Sequence, residues 1–574
     1  MKLRHKKLAS ALILLSFLGY MPLSSTMAFA IDAGTLPDLN NSINGSVTTD
    51  GNRMDVTVQG GAGAVGQFDW NSFNVGKDGH VNFGFTNNSQ TSLNRVLASG
   101  GLSQIYGKLT NSCAGADCSS YMGTGKVILI NPNGIMFGAG STVDLNSFTA
   151  TTFDLKGAKN IKDMTAEELQ AYKNQINVQA NGLPADMVTN AQFVRDGVLK
   201  TTDGAAVTLE GSNFNIDKSL GLAGDNVVVY KDSLIKTNLD YNYGGGQDPS
   251  KHNQSFSNVR IVTGDGVNFT YELNGYIKGH QAVKNNDSTI TNNINVENSS
   301  IDSGAVYVEN AGAKEGSDIN IKKSVIKGYK LVQGDYGDII IKGQNDVNVE
   351  DTHLETINTY KKSNPDVNTY NKNGGRIAIT AGNNVNLKNS KVETAFAGQS
   401  FNGSTVRGQN AGDISIKAEN KDVNIENTNL HAKGNLTVDA QNGSIAAKDA
   451  TLRARNYSSQ DEGAQNLLKK VLLTAKDKIT LDNTYSESSD YTTLKADNID
   501  VKNNSKMHSN KNINMYGKDT TIADSTLQYN GLNFVEDENV LNNVTISGTT
   551  AFNDKTSNNL KLTTNGNLTI DNNS

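Results

Sequence analysis

From about residue 255 onward the chain restates one short phrase. Gly337-Asp338-Ile339-Ile340-Ile341-Lys342 is matched by Gly375-Arg376-Ile377-Ala378-Ile379-Thr380 and by Gly412-Asp413-Ile414-Ser415-Ile416-Lys417. Each copy is followed by a second alternating pair: Val347-Asn348-Val349, Val385-Asn386-Leu387 and Val423-Asn424-Ile425. A third apolar position then follows at Leu354, Val392 and Leu430. Later copies are Ile479-Thr480-Leu481, Ile499-Asp500-Val501, Ile513-Asn514-Met515, Val544-Thr545-Ile546 and Leu568-Thr569-Ile570. The period is about 20 residues, within the solenoid range. Alternation of apolar and polar residues means strands buried on one face. One copy holds too few apolar residues to bury itself, so copies must stack, and the inward residues become continuous ladders. The Asn, Asp, Gly and Ser between strands are corner residues, and Asn tolerates the left-handed conformation. These constraints predict an all-β fold, a parallel β-helix, right-handed by the crossover rule. About twenty coils at ~4.8 Å each would make a rod on the order of 100 Å long.

The chain has 574 residues, of which 36% are apolar, enough for a long but narrow core. Charge is low at 19%, prolines number six and glycines 55. A net charge of −6 without a basic stripe argues against nucleic acid as a partner, because phosphate binding needs clustered Lys and Arg. Residues 1–30 read as a secretory signal. Lys2, Arg4, Lys6 and Lys7 are basic, residues 8–18 are apolar, and Ala28-Phe29-Ala30 fits the small-x-small rule, which places cleavage after Ala30. The general secretory machinery is therefore an expected partner. Cys113 and Cys118 lie in a Gly/Ser/Asn-rich stretch with no histidine nearby, which disfavours zinc. In an exported chain they read as a local disulfide worth about 2 kcal/mol at most, with a reduced pair as the alternative.

Val127-Ile128-Leu129-Ile130 is a run of branched apolar residues and reads as a fully buried strand. Asn131-Pro132-Asn133-Gly134 then forces a corner, and Ile135-Met136-Phe137 restarts the strand. Met54, Val56 and Val58, and Val81, Phe83 and Phe85, give the alternation of half-buried strands, and Trp70 is expected in core or cap packing. Upstream of the corner stand Phe68-Asp69-Trp70-Asn71-Ser72-Phe73-Asn74-Val75-Gly76, Val81-Asn82-Phe83, Leu93-Asn94-Arg95-Val96 and Ser103-Gln104-Ile105-Tyr106-Gly107-Lys108-Leu109. Ser147-Phe148-Thr149-Ala150-Thr151-Thr152 follows it. Taken in this order, the set resembles the secretion (haemagglutination activity) domain of two-partner secretion exoproteins, the filamentous haemagglutinin-like family. The chain lacks the upstream Asn-Pro-Asn-Leu tetrapeptide that many members carry.

The resemblance implies a β-helix, periplasmic transit, and a cognate outer-membrane transporter as partner. It assigns Asn131, Pro132, Asn133, Gly134 and Ile135, with Asn94, Arg95 and Val96, to a secretion motif. Arg95 itself reads as a buried, hydrogen-bonded structural arginine. The domains expected are the signal (1–30), the secretion domain (31–155), a transition region with a helical insert (156–254) and the repetitive β-helix (255–574). Within the transition region Thr165-Ala166-Glu167-Glu168 has the form of a capping box, which predicts a short helix over 166–174 bulging from the solenoid. Polar inserts are expected at 360–374 and 395–410, and a short helix or extra strand within 462–474. No terminal barrel, anchor or toxin-like domain is read in the chain up to Ser574, and whether more chain follows Ser574 is left open by the sequence.

No catalytic constellation, cofactor motif or metal site stands out. The histidines at 5, 80, 252, 280, 353, 431 and 508 have no metal-ligand spacing. Corner acids such as Asp335, Asp338 and Asp351 read as solvated turn residues. A pair of them at suitable distance would instead suit acid-base work on a polysaccharide. The expectation is thus a non-enzymatic exoprotein, secreted or held at the outer face of the outer membrane. It would be an adhesin or biofilm/matrix protein with an unassigned glycan, matrix or cell ligand. The alternative is an extracellular β-helical lyase or hydrolase.

Overall fold

The computed structural model describes residues 31–574 except 88, 114–124, 177–185, 238–256, 273–274, 285–288, 331–336, 359–374, 397–399, 402–403, 406–411, 456–468, 535–542, 555–566 and 572–574. The signal with Ala30, Cys118, Asp335 and most of the expected inserts at 360–374 and 395–410 lie outside the described residues.

The chain opens with β1 (Asp38–Ile43), β2 (Gly45–Asp50), β3 (Arg53–Val58), β4 (Val65–Ser72), β5 (His80–Phe85), β6 (Thr91–Val96), β7 (Ser103–Ile105), β8 (Lys108–Cys113), β9 (Lys126–Ile130), β10 (Ile135–Phe137) and β11 (Thr142–Thr151). Then come β12 (Asp154–Leu155), α1 (Ala166–Ile176), α2 (Asp186–Thr189), β13 (Asn190–Val194), β14 (Ala206–Glu210) and β15 (Asn213–Gly224). From there to the end, strands recur coil after coil.

Each regular coil visits three faces, as in Ile339–Gly343, Val347–Glu350 and His353–Asn358, here called faces one, two and three. Every strand of a face pairs in parallel with its counterpart one coil away, for example Val347 with Val385 and Val385 with Val423. Face two is a 15-stranded sheet, and faces one and three join in a 31-stranded sheet. They join because β11 and β15 run round the corner: Thr142–Asp144 pair with β8 while Phe148–Thr151 pair with β9. The protein is a parallel β-helix. Its core is a set of inward ladders such as Ile294, Ile319, Val347, Val385, Val423, Ile445 and Ile479, all buried.

The repeat is less even than 20 residues. Equivalent positions lie 21 residues apart near the end but 38 apart across the inserts, as between Asn348 and Asn386. Among the described residues face two has 15 strands, which span roughly 70 Å rather than the twenty coils expected. The expected helix or extra strand near 467–473 has as its described part an ordinary face-one strand, Val471–Ala475, between 436–440 and 492–495.

The corner from face two to face three is built the same way in coil after coil. Asn298, Lys323, Asp351, Asn389, Asn427, Asp449 and Asn483 all hold φ between 45° and 51°, the left-handed conformation that Asn and Asp adopt at least cost. The next residue is usually a buried hydroxyl. Ser324 N–H donates to Thr352 Oγ1, Thr352 N–H to Ser390 Oγ and Ser390 N–H to Thr428 Oγ1. On the outside of face two, Asn320, Asn348, Asn386 and Asn424 each donate Nδ2 to the Oδ1 of the asparagine one coil before, at 2.8–3.0 Å. Beside them charges alternate in register: Glu297, Lys322, Glu350, Lys388, Glu426, Lys448, Asp482 and Lys502.

Two additions break the regularity. At the start, β1 lies antiparallel on β4 and β2 antiparallel on β3, which covers the first strand edges. Over the outside of face one sits a four-stranded antiparallel sheet of β12, β13, Gly266–Tyr271 and Ile277–Ala282, with α1 and α2. Its strands come from both sides of the divisions expected at 155 and 255. Phe153, Tyr172, Phe193, Phe269 and Ile277 pack there against the outward side chains Val65, Leu93, Ile128 and Ile130. This explains the unbroken apolar run of β9: Val127 and Leu129 face the solenoid core while Ile128 and Ile130 face the added sheet. The capping box forms, with Thr165 N–H on Glu168 Oε2 at 2.9 Å and Glu168 N–H on Thr165 Oγ1 at 3.2 Å, and the helix runs two residues past the expected end.

Candidate functional site

The Asn-Pro-Asn-Gly corner ends β9 and starts β10. Gly134 N–H donates to Asn131 O at 3.1 Å, closing a β-turn, and Asn133 N–H donates to Asn131 Oδ1 at 2.9 Å. Pro132 sets the turn's second position, and Gly134 takes φ 107°. A Cβ on Gly134 would also stand 3.1 Å from Ala206 O and Leu102 Cδ1, a tight approach added to the strain that φ puts on any other residue.

The same corner ties three coils together. Asn131 is buried and donates Nδ2 to Gly101 O at 2.9 Å and Ser103 Oγ at 2.8 Å, in the preceding coil. Asn133 Nδ2 donates to Ala98 O at 2.9 Å, again backwards. In the forward direction, Thr202 donates its N–H to Pro132 O and its hydroxyl to Asn133 Oδ1, both at 2.8 Å. Ile135 then enters β10, flanked by Ser103 of β7 and Val207 of β14. The polar groups of this corner are largely consumed inside the fold, and half-exposed Asn133 and Met136 are what it offers outward.

Asn94, Arg95 and Val96 lie on β6, one strand below β9. Alternation sends Asn94 and Val96 inward. Asn94 Oδ1 accepts Trp70 Nε1–H at 3.2 Å, and Val96 pairs with Trp70 in the core. Arg95 points outward under the added sheet and is fully buried. Its Nε and Nη2 donate to the two oxygens of Asp154 at 3.1 and 3.0 Å, and Nη1 donates to Lys159 O at 2.8 Å. Asp69 stands 3.5 Å away, held by Ile161 N–H and Gln67 Nε2 at 2.8 Å each. Tyr172 of α1 donates its hydroxyl to Gln67 Oε1 at 2.7 Å. Burial works against the Arg95 charge, and Asp154 followed by Asp69 more than offsets it, so its pKa lies above the ordinary value. Burial pushes Asp69 up and Tyr172 up to about 12. The node pins the added sheet and α1 to the solenoid. It has no open face for a substrate.

The motif residues therefore fall into two neighbouring places, the corner and the pin, joined by β6 and β9. Asp154, Lys159 and Tyr172 belong to the pin and escaped the sequence reading, because nothing local links positions 59 or more residues from Arg95. Cys113 closes β8, and its expected pairing with Cys118 lies outside the described residues. Of the corner acids, Asp338 accepts Arg376 N–H at 2.9 Å and Arg376 Nε at 2.8 Å, and Asp351 takes the left-handed corner. Arg453 and Arg455 occupy the two oxygens of nearly buried Glu487, with His508 3.9 Å away. Among the described residues, His353, Glu355 and Glu393 are a group spaced to hold a metal ion.

Residues 33–348 match the family described as the TPS secretion domain. A heme/hemopexin-binding protein of Haemophilus influenzae is 34% identical over 121 residues, which is 21% of this chain and 12% of that protein. Its namesake from Haemophilus influenzae strain KW20 / Rd is 28% identical over 209 residues, 33% of this chain and 21% of that protein. The chain thus spans about a fifth or less of the length of these curated relatives. Among solved structures, the HMW1 secretion domain from Haemophilus influenzae aligns over 93% of this chain and all of its own, at 16% identity and a TM-score of 0.33. The family match takes in the capped first coils, the Asn131–Gly134 corner and the Arg95 pin, and it covers more than half of the 574 residues, so the chain belongs to the two-partner secretion exoproteins.

Proposed function

We propose that this chain is the exported member of a two-partner pair. An outer-membrane transporter would recognise its first coils in the periplasm, and the chain would then present a rigid β-helix at or beyond the cell surface. The single observation that carries this reading is the family match over 33–348. The region read by the transporter is 31–155, braced by the sheet pinned through Arg95. Recognition would add a strand of the still-open chain to the transporter's periplasmic modules. The residues of the secretion motif act by fixing the corner at Asn131–Gly134, without which successive coils cannot stack. The exported rod serves adhesion or a surface matrix, with residues 255–574 as the display surface.

The test is secretion from a two-membraned host, with and without the candidate transporter, of the native chain and of a variant carrying Asn131→Ala with Asn133→Ala. Transporter-dependent appearance in the medium, lost in the double variant, is the expected result. Equal secretion without the transporter overturns the reading.

A second reading, capture of heme or hemopexin, is supported by the names of the two relatives. Immobilised mature chain should then retain hemopexin or take up heme with a spectral shift. Failure of both would leave adhesion or matrix as the ligand class to screen. The enzymatic alternative needs a free carboxylate beside a second one. Glu487 does not offer it, because two arginines hold both of its oxygens, and Glu393, which lies beside Glu355, is held by His353 and Lys391.

A further inference from the structure

We propose that face three carries a site for a divalent transition-metal ion, formed by His353, Glu355 and Glu393. No stretch of sequence brings these groups together; stacking does. His353 and Glu355 are two apart on the strand His353–Asn358 and so point outward on the same side. Glu393 lies one coil on, in register with Glu355. His353 Nε2 is 2.9 Å from Glu393 Oε1 and 3.9 Å from Glu355 Oε2. One ligand atom from each residue falls within 4.8 Å of the others. Ions bound at ~2.0–2.2 Å from nitrogen and oxygen ligands need neighbouring ligands about 3–3.5 Å apart, which small rotations of these side chains supply. One imidazole and two carboxylates suit Zn²⁺, Co²⁺ or Ni²⁺ better than Ca²⁺ or Mg²⁺, which prefer all-oxygen sets.

An independent observation points the same way. His431 is in register with Glu393 one further coil along the same outward column. Its Nε2 is buried and has no hydrogen-bond partner. A buried nitrogen left unsatisfied costs free energy, and turning toward an ion held on Glu393 would satisfy it as a fourth ligand.

The groups that oppose a cation here are three lysines and Arg453. Lys391 Nζ lies 2.5 Å from Glu393 Oε1, and Lys327 Nζ lies 4.0 Å from Glu355 Oε2. Lys433 acts on His431 and Glu393, and Arg453, in register with His431 one coil further on, also acts on His431 while lying 3.2 Å from Glu487. In the metal-free protein Lys391 neutralises Glu393, and the ion must displace it. This competition separates a metal site from a plain ion-pair network.

The experiment is calorimetric titration of the untagged mature chain with ZnCl₂ and NiCl₂. It is repeated on His353→Ala, Glu393→Gln, His431→Phe and Lys391→Met, with far-ultraviolet circular dichroism and metal-free melting to establish that each variant folds. One equivalent should bind tightly. His353→Ala and Glu393→Gln should each weaken it by at least the roughly tenfold that loss of an outer-shell partner costs. His431→Phe should weaken it less, and Lys391→Met should tighten it. No saturable binding by the native chain, or binding unchanged in folded His353→Ala, overturns the proposal. So does weaker binding in folded Lys391→Met.

Discussion

Lys126 begins β9 and is buried beneath the added sheet, where its Nζ donates to Val188 O and lies 4.0 Å from the centre of the Tyr271 ring. Burial brings its pKa down to about 7. The sign follows from linkage: an unfolded lysine binds its proton up to about pH 10.5, whereas the folded one releases it near 7, so stability climbs as pH rises between those values. The full swing is roughly 5 kcal/mol for a shift of that size. Lys126→Met should therefore be more stable than the native chain at pH 6, by a margin that shrinks steadily toward pH 10. Urea midpoints at pH 6, 7, 8 and 9 check this, and parallel curves for the two proteins would refute it. At this scale the sequence is a partial guide. That β9 is buried on both sides could be read from its four consecutive apolar residues. That Arg95 meets Asp154 could not, because the contact depends on how a separate sheet folds back over face one.

Among elements, the recurring corner is the informative one. Its left-handed position holds Asn or Asp in most coils, and Lys323 at φ 48° departs from that pattern, as Lys231 at φ 54° does at the corner two coils earlier. A lysine has no short polar side chain to offset the left-handed conformation, which costs roughly 1–2 kcal/mol for ordinary residues. Lys323→Asn should raise stability by up to about 1 kcal/mol, read as a shift in the denaturant midpoint without a change in slope. An unchanged or lowered midpoint would mean that the Lys323 side chain earns its place by other contacts. Strands and corners were largely legible because both are local: period-two alternation marks one, and Asn, Asp and Gly mark the other. The hydroxyl ladder, the asparagine ladder and the His353–Glu393 group were not, since each forms between coils that lie 25 to 38 residues apart.

For the whole molecule, capping and stacking set the limits. Antiparallel β1 and β2 close the first edges, so growth of the stack can proceed in one direction only. The fold class followed from the repeat itself, whereas the length of the rod did not. A residue count divided by an assumed period overstates the coils when the spacing is uneven, and the described residues put 15 strands on face two where twenty coils were expected.

The alternating column beside the asparagines acts as a parity check on the stack. Each coil carries one sign, and its neighbours carry the other. Deleting residues 423–444 joins matching points of adjacent coils but sets Lys388 beside Lys448. Deleting 423–478 removes a second coil and sets Lys388 beside Asp482. Like charges directly opposite each other on a sheet are destabilising by up to about 1 kcal/mol. The odd deletion should therefore lose more stability per coil removed than the even one, and added salt should narrow the gap. Equal losses at low and high salt would show that the column does not discriminate. If it does, such a rod can gain or lose coils in pairs at little cost, while a single miscounted coil during assembly is marked as an error by its charge alone.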